Sequence, residues 1–573
     1  MTPLGVVSWA ALALVLVALP LDTLRTAGKL AWRDAALALG PLALAVALRL
    51  VWLGSDGLEH LEASYLFESI KPPGLHDLIF SRQAGEQMHQ PLYPLLLRGL
   101  ADLTLDPGGL RLPSVMAGAW TVALVMALAE ARIGRAGALV AGVLVAIAPL
   151  GVWYGRDASP YALLSMLALV GYTSFDQALT SQARWPAVRA GIAFALAVYT
   201  HFHGAWIAVA GAVWAGSLGR AARPAALRTV ATGVVLLLPA VPLLFDKLFV
   251  SVVGLREDQP LVRYSHAWPE ALGEAARLLG GGTALTGTVV LLICLGAVAM
   301  TWRSHPITAR LAACGVVASV LAEAHVLWQL SVAKGIVYVD VRHYGWLVPL
   351  LALPVAAAAT ALWHRSTLGR GLAIALVAAL VSANGVTTST LLHTERPAVA
   401  RAVAVVSSHA TPRDAIAFLP APWYQPMIEL ALFGRCLALT HGRHQDGWWR
   451  REDCGFEEQP RPDTVFGFPW TPERMRQTAQ RHEIDRLWVI DIRDHRFGLA
   501  APPTTPQEAF HCWRERDTHV AGAVRWHRAL GPWVTVWLLD ARALAQAAPP
   551  PTPSAQIRVV RSAEAWPIRC DVD

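Results

Sequence analysis

The chain has 573 residues, of which 55% are hydrophobic and 16% charged, and its mean hydropathy is +0.42. An ordinary soluble domain carries charge on about a quarter of its residues, so this composition excludes a soluble protein. The net charge of +7 is almost entirely arginine, since lysine occurs only at Lys29, Lys71, Lys247 and Lys334; these arginines are scattered singly between apolar runs, which excludes the clustered basic face that nucleic acid requires.

A helix crossing the hydrocarbon core needs about 20 mostly apolar residues. The first such run, 4–20, lacks a basic leading segment and a small-residue cleavage site, so it reads as a retained span rather than a signal peptide. Eleven further runs follow at 35–53, 112–131, 136–151, 161–177, 188–201, 203–218, 229–245, 278–301, 308–328, 343–362 and 371–392. Arginine and lysine accumulate in cytoplasmic loops. Every second loop is basic: Arg25, Lys29 and Arg33; Arg132 and Arg135; Arg184 and Arg189; Arg220, Arg223 and Arg228; Arg303 and Arg310; Arg365 and Arg370. The stretch 188–218 has arginines at both ends, so it passes out and back and turns near His201 and His203. The outward segments are then 54–111, 152–160, 246–277, 329–342 and everything after about residue 393.

The last segment has soluble character. PAVARAVAVVSSHA reads as an amphipathic helix, and AIAFLP, RLWVID and WVTVWLLD as short strands. Thr471 and Pro472 make a helix start. The expected architecture is a polytopic α-helical membrane protein of about 12 spans (residues 1–394), followed by a mixed α/β domain over 395–545 on the non-cytoplasmic side. A Pro-rich linker and tail complete it at 546–573. Cys436, Cys454, Cys512 and Cys570 all lie in that polar third, an even number that permits two disulfides in an oxidising compartment. No CxxC or Cys/His ligand spacing occurs, so a zinc site is not expected; no cofactor is expected, and an assisting divalent metal is left open without being indicated.

Two outward loops carry candidate chemistry. LEHLEASYLFESI puts Glu59 and Glu62 on one helical face, where a carboxylate at the membrane boundary could serve as general base on an acceptor hydroxyl; the same spacing fits a solvated amphipathic helix lying on the membrane. In WYGRDASPYALL, Asp157, Arg156 and Tyr161 meet at a span entrance, a pattern that also fits a helix cap or interfacial anchor. Glu323 and His325 lie inside the run 308–328, where ionisable groups face a cavity or a partner helix.

Motif order adds to this: LEASYLF at 61–67, HQPLYPLLL at 89–97, RLPSV at 111–115, APLGVWYGRDASPYALL at 148–164, YTHFHG at 199–204, VRHYGWLVPLLALP at 341–354 and ERPAVARAVAVVSSHATPRDAIAF after 394. In this order the chain resembles the membrane glycosyltransferases of the GT-C fold, specifically glycosyltransferase family 39, the group of protein mannosyltransferases and aminoarabinose transferases. The resemblance implies transfer of a sugar, with inversion, from a polyprenyl-phosphate donor to an acceptor hydroxyl on a glycan, lipid or protein at the outer face of a bacterial cytoplasmic membrane. With the family's base absent from its usual place, Glu62 or Glu59 is taken as the base, and Asp157 as the residue that orients the acceptor or the donor phosphate. Arg342 matches the family's late arginine and is the first choice for the donor phosphate, a position that also fits a snorkelling anchor, and Lys334 is a weaker candidate. His89 and Tyr93 match the segment bordering the donor site, where both also fit interfacial anchors, and His201 matches a family histidine near the donor cavity. Arg156 and Tyr161 at their span entrance and Glu323 inside its span are read from their positions as bordering the substrates, and His203 is expected to face water. The sequence departs from the family at two places: Leu61 stands where the family has the aspartate of an Asp-Glu pair, and Asp157-Ala158-Ser159-Pro160 replaces acid-x-Arg before the tyrosine. These departures support an alternative in which a degenerate relative binds a lipid-linked glycan or a partner protein without turnover. A transporter, which would show interrupted spans with midplane charges, ranks below both.

Overall fold

A computed structural model describes residues 3–27, 32–55, 57–58, 60–70, 90–241, 284–333, 341–393, 399–409, 414–419, 476, 485–492, 523–529 and 534–546. The chain divides into two compact units: Met1–Leu53 with Gly74–Thr394, and Gly54–Pro73 with Glu395–Asp573.

The first unit is helical throughout its described residues. Helix α1 (Pro3–Ala13) runs through a π-helical turn (Leu14–Ala18) into α2 (Leu19–Ala27), and α3 covers Trp32–Leu50. After α5 (Leu92–Ala101) comes the long α6 (Pro107–Ile133), then α7 (Arg135–Ala146) and the short α8 (Pro149–Tyr154). Helices α9 (Tyr161–Ser181), α10 (Arg184–Thr200), α11 (Gly204–Ser217) and α12 (Arg223–Leu237) follow. The unit closes with α13 (Ala284–Thr301), α14 (Pro306–Ala333), α15 (Leu347–Arg365) and α16 (Thr367–His393). Each of the twelve apolar runs of the sequence overlaps a helix. Among the described residues, five stretches are long and apolar enough to cross a membrane: Val6–Thr26, Pro107–Ile133, Tyr161–Ser181, Leu347–Arg365 and Thr367–His393.

Local chemistry sets the ends of these helices. Asp106 caps α6 by accepting the Gly109 N–H at 2.9 Å, and Pro107 occupies the first turn, where its missing N–H costs nothing. Gly134, at φ +99°, lets α6 double back into α7 and donates its N–H to Ala129 and Glu130 carbonyls. The centre of the unit is α9, buried along nearly its whole length and packed between α6 and α10. Facing helices are tied by charge at the end where the basic loops lie. The Arg132 guanidinium of α6 grips Asp176 of α9 with Nε at 2.9 and 3.0 Å from the two carboxylate oxygens. Arg189 of α10, fully buried at its side chain, pairs with Asp22 of α2 and donates to Ser174 and Thr26.

In the second unit, α4 (His60–Ile70) belongs with the C-terminal α/β fold rather than with the helical bundle. That fold is a four-stranded sheet of order β1-β2-β4-β3, with β1 at Asp414–Leu419, β2 at Arg486–Ile492, β3 at Val524–Ala529 and β4 at Val534–Asp540. β1 runs parallel to β2, and β4 runs antiparallel to both β2 and β3. α17 (Val399–His409) buries Val399, Ala402, Val403 and Val406, one helical face, against β2 and β4; α18 (Ala541–Gln546) packs on the same strands. Inside this layer, buried Asp414 accepts Arg486 at 2.7 and 2.9 Å and the Trp488 indole N–H at 2.9 Å. The helix and three strands expected from sequence are thus present, while β3 and α18 went unread. The predicted helix start at Thr471, the Pro-rich linker and the four polar-segment cysteines lie outside the described residues.

Candidate functional site

Within the helical unit, residues of five separate motif segments meet around the start of α9. The turn Gly155–Pro160 joins α8 to α9 and is closed by the Ser159 N–H on the Asp157 carbonyl at 2.7 Å. Asp157 is 3% exposed and Arg156 is 5% exposed. The residue capping α9 is Pro160, with no side-chain cap, so Asp157 is not spent on a helix end. Ser114 of RLPSV donates to the Ser159 carbonyl at 3.2 Å and shares a 2.9 Å hydrogen bond with the Tyr93 hydroxyl, which ties the HQPLY and RLPSV segments to the Asp157 turn. The end of α3 is fastened to the same region, because Arg111 donates to the Leu53 carbonyl at 2.6 Å and Arg156 to the Val51 carbonyl at 2.7 Å. Both guanidiniums thereby brace the backbone that follows α3.

Beyond Asp157, Tyr161 opens α9 with a buried ring. Its centroid lies 5.1 Å from Tyr154, 5.4 Å from His201 and 6.0 Å from His343. His201 and His203 occupy the tight turn between α10 and α11. That turn sits directly on α10, since a Cβ at Gly204 would fall 2.2 Å from the Ala197 backbone; only glycine closes it. His343 comes from the 3₁₀ turn Val341–Tyr344 that leads into α15. The three histidines are all buried, and one ring nitrogen from each lies within 4.8 Å of the others. His203 therefore does not face water, as the sequence led us to expect; it is 1% exposed because His343, 140 positions later in the chain, stacks on it at 4.3 Å. The sequence also pointed away from any histidine ligand set, because spacing along the chain does not reveal a partner brought in by a distant turn.

Arg49 was missed as well. It is an arginine in the middle of an apolar run, fully buried, donating to the carbonyls of Ala45 at 2.9 Å, Ala146 at 3.2 Å and Gly151 at 2.9 Å. Ala146 ends α7, so the charge sits against the negative end of that helix dipole. Room for the side chain depends on Gly118 and Gly155, where a Cβ would lie 2.4 and 2.5 Å from the Arg49 Nε. A cleft lined by Arg49, Gly118, Tyr154, Tyr161, Ser165 and Gly345 leads from this arginine to the tyrosine beside the histidines.

Of the other expected site residues, Glu62 lies in α4 of the second unit and is 0% exposed, unlike a residue on a solvated surface helix. Arg342 is placed by its backbone in the Val341–Tyr344 turn, next to His343. Glu323 is on α14. The side chains of Arg342, Glu323 and His325, and residues Glu59, His89 and Lys334 as a whole, lie outside the described residues.

This geometry can be set beside known proteins. ArnT from Cupriavidus metallidurans, in its apo state, superposes with a TM-score of 0.52 over 89% of this chain and 99% of its own, at 12% identity. The same protein bound to undecaprenyl phosphate gives 0.50 over 87% and 97%, at 13% identity. The apo oligosaccharyltransferase of Archaeoglobus fulgidus gives 0.50 over 79% of this chain and 69% of its own, at 13% identity. The chain has the GT-C fold. The sequence pattern of the dolichyl-phosphate-mannose-protein mannosyltransferase family matches residues 88–245, the part that holds Tyr93, Asp157 and His201. No curated protein matches the chain by sequence. With this fold and its apolar helices, the protein is a multi-pass membrane protein resembling glycosyltransferase family 39.

Proposed function

We propose that the protein transfers a sugar from a polyprenyl-phosphate donor to an acceptor hydroxyl at the outer face of a bacterial cytoplasmic membrane, with the C-terminal unit on the same, periplasmic side. The observation that carries this reading is the convergence of the HQPLY, RLPSV, GRDASPY, HFHG and VRHY segments at one end of the helical unit. Their arrangement around buried Asp157 and Tyr161 is what a site for a charged headgroup between apolar helices needs. Support for the donor class comes from the shared fold and from ArnT of C. metallidurans having been captured with undecaprenyl phosphate.

In the proposed reaction, Glu62, or Glu59, takes the proton of the acceptor hydroxyl as its oxygen attacks the anomeric carbon. The bond from that carbon to the phosphate oxygen breaks with inversion, and Arg342 receives the negative charge of the departing polyprenyl phosphate. Asp157 orients the acceptor or the donor phosphate. His89, Tyr93, Arg156, Tyr161, His201, Lys334 and Glu323 complete the substrate surround, with Tyr93 and Arg156 acting through the braces they form. A specific feature favours a second reading, a non-catalytic lipid-glycan binder: Leu61 occupies the place of the family aspartate.

The two readings separate in one assay with the full-length protein in lipid nanodiscs and a labelled polyprenyl-phosphate sugar. Under the first, Asp157→Asn and the Glu59→Gln/Glu62→Gln pair each lower kcat about 100-fold or more, and Arg342→Ala raises KM for the donor. Turnover equal to the unmutated protein in all three would remove the mechanism. Donor binding without turnover in the unmutated protein would establish the binder instead.

A further inference from the structure

We infer that His201, His203 and His343 form a binding site for a divalent transition-metal ion of the zinc class, held by three imidazole nitrogens with a fourth position open. The three residues come from two turns far apart in sequence, yet one nitrogen from each lies within 4.8 Å of the others, and each ring is at least nine-tenths buried. The closest pair is already at ligand spacing. Two nitrogens bound to one tetrahedral zinc at about 2.0–2.1 Å stand about 3.3–3.4 Å apart, and the Nδ1 atoms of His201 and His203 are 3.3 Å apart. The His201 Nδ1 accepts the His203 backbone N–H at 3.2 Å and is therefore unprotonated; its one lone pair is held by that hydrogen bond, which a bound ion would displace.

His203 and His343 stack at 26° with ring centroids 4.3 Å apart, which sets their edges, and the nitrogens on them, alongside each other. Aromatic walls from Tyr161 and Phe202 enclose the group, at 5.4 and 4.4 Å from the His201 ring, and a low-dielectric wall strengthens ion–ligand attraction. Both supporting turns are rigid: Gly204 locks the first onto α10, and buried Tyr344 and Trp346 anchor the second. Imidazoles alone favour zinc, copper, iron or nickel over magnesium or calcium, which seek oxygen. Three neutral ligands leave a zinc ion its full charge and one coordination position for an anionic oxygen.

Cobalt(II) is the probe, because its visible absorption reports tetrahedral nitrogen coordination. Full-length protein in nanodiscs, stripped with chelator and titrated with Co²⁺, should bind one equivalent per chain, with an intense visible band that Zn²⁺ abolishes. His201→Ala, His203→Ala and His343→Ala should each weaken binding at least about tenfold. His343→Cys should restore it and add a thiolate-to-cobalt charge-transfer band, an effect that a packing role for the histidines cannot produce. The inference is overturned if the unmutated protein shows no saturable band, or if the band persists unchanged in His203→Ala. These readouts do not use sugar transfer, so their failure leaves the proposed reaction standing, and failure of the reaction leaves the site standing.

Discussion

Asp157 and Arg49 show what the fold does to single charged residues near a membrane boundary. Asp157 is buried in a turn fixed by Ser159, Ser114 and Tyr93 at the start of α9. Arg49 spends its donors on three backbone carbonyls, and two glycines make its space. Gly155→Ala would drive a Cβ to 2.5 Å from the Arg49 Nε and 2.8 Å from the Gly151 carbonyl oxygen. One of these contacts is backbone, so the cost should be about 1–3 kcal/mol, read as a lower thermal midpoint in detergent together with reduced transfer. Asp157 could be picked out from the sequence because it sits in a short motif in the right order. Arg49 could not, since its partners are carbonyls, which leave no residue-type signal. His203 was misjudged for a related reason: the residue that covers it is 140 positions away.

Between elements, opposite charges join helices at the basic-loop end. The Arg132–Asp176 pair links α6 to α9 with two carboxylate oxygens engaged, and the Asp176 side chain is only 5% exposed. Asp176→Ala leaves a guanidinium facing the helix junction, and should cost about 3 kcal/mol, measured as a loss of folded protein in an SDS or thermal titration; an unchanged midpoint would show that the pair contributes nothing. The alternating basic loops carried only an expectation of sidedness, and here Arg132 and Arg189 from those loops also lock helices together, a role invisible without their partners. The sheet gives the matching lesson. β1, β2 and β4 were readable from apolar runs, whereas β3 carries Arg525, His527 and Arg528 on an exposed edge interrupted by a register shift, so alternation is absent. On that edge, Arg525 donates to Asp540 and holds its carboxyl below the usual carboxylate range, against a smaller opposing effect of burial. A depressed folded-state value means that the stabilisation is fully present above the unfolded carboxylate range, near pH 4, and is lost as pH falls through the lower folded value. Asp540→Asn should therefore flatten the acid limb between these two values by lowering the neutral-pH plateau toward the acid level, by about 0.2–1 kcal/mol because the Arg525 end of the pair is exposed, measured by tryptophan fluorescence.

At the scale of the whole molecule, twelve apolar runs and alternating basic loops outlined the helical unit, because a membrane helix must be long and continuous and is therefore written in one stretch of sequence. The early outward segment could not be assigned to its unit in the same way. Residues 54–73 belong with the C-terminal fold, an association made by contacts between stretches more than 300 residues apart, and Glu62 is buried there. The proposed base thus resides on the unit that carries the α/β sheet, while Asp157, Tyr161 and the histidines reside on the helical one. The most direct measurement is the fate of the donor: full-length protein in nanodiscs is mixed with polyprenyl-phosphate sugars labelled in the sugar, and free polyprenyl phosphate is followed by mass spectrometry. The account predicts that at least one donor is converted to polyprenyl phosphate with its sugar on an acceptor hydroxyl, and that Asp157→Asn abolishes this. Release that proceeds at the same rate in Asp157→Asn, or donors that remain intact throughout, would contradict it.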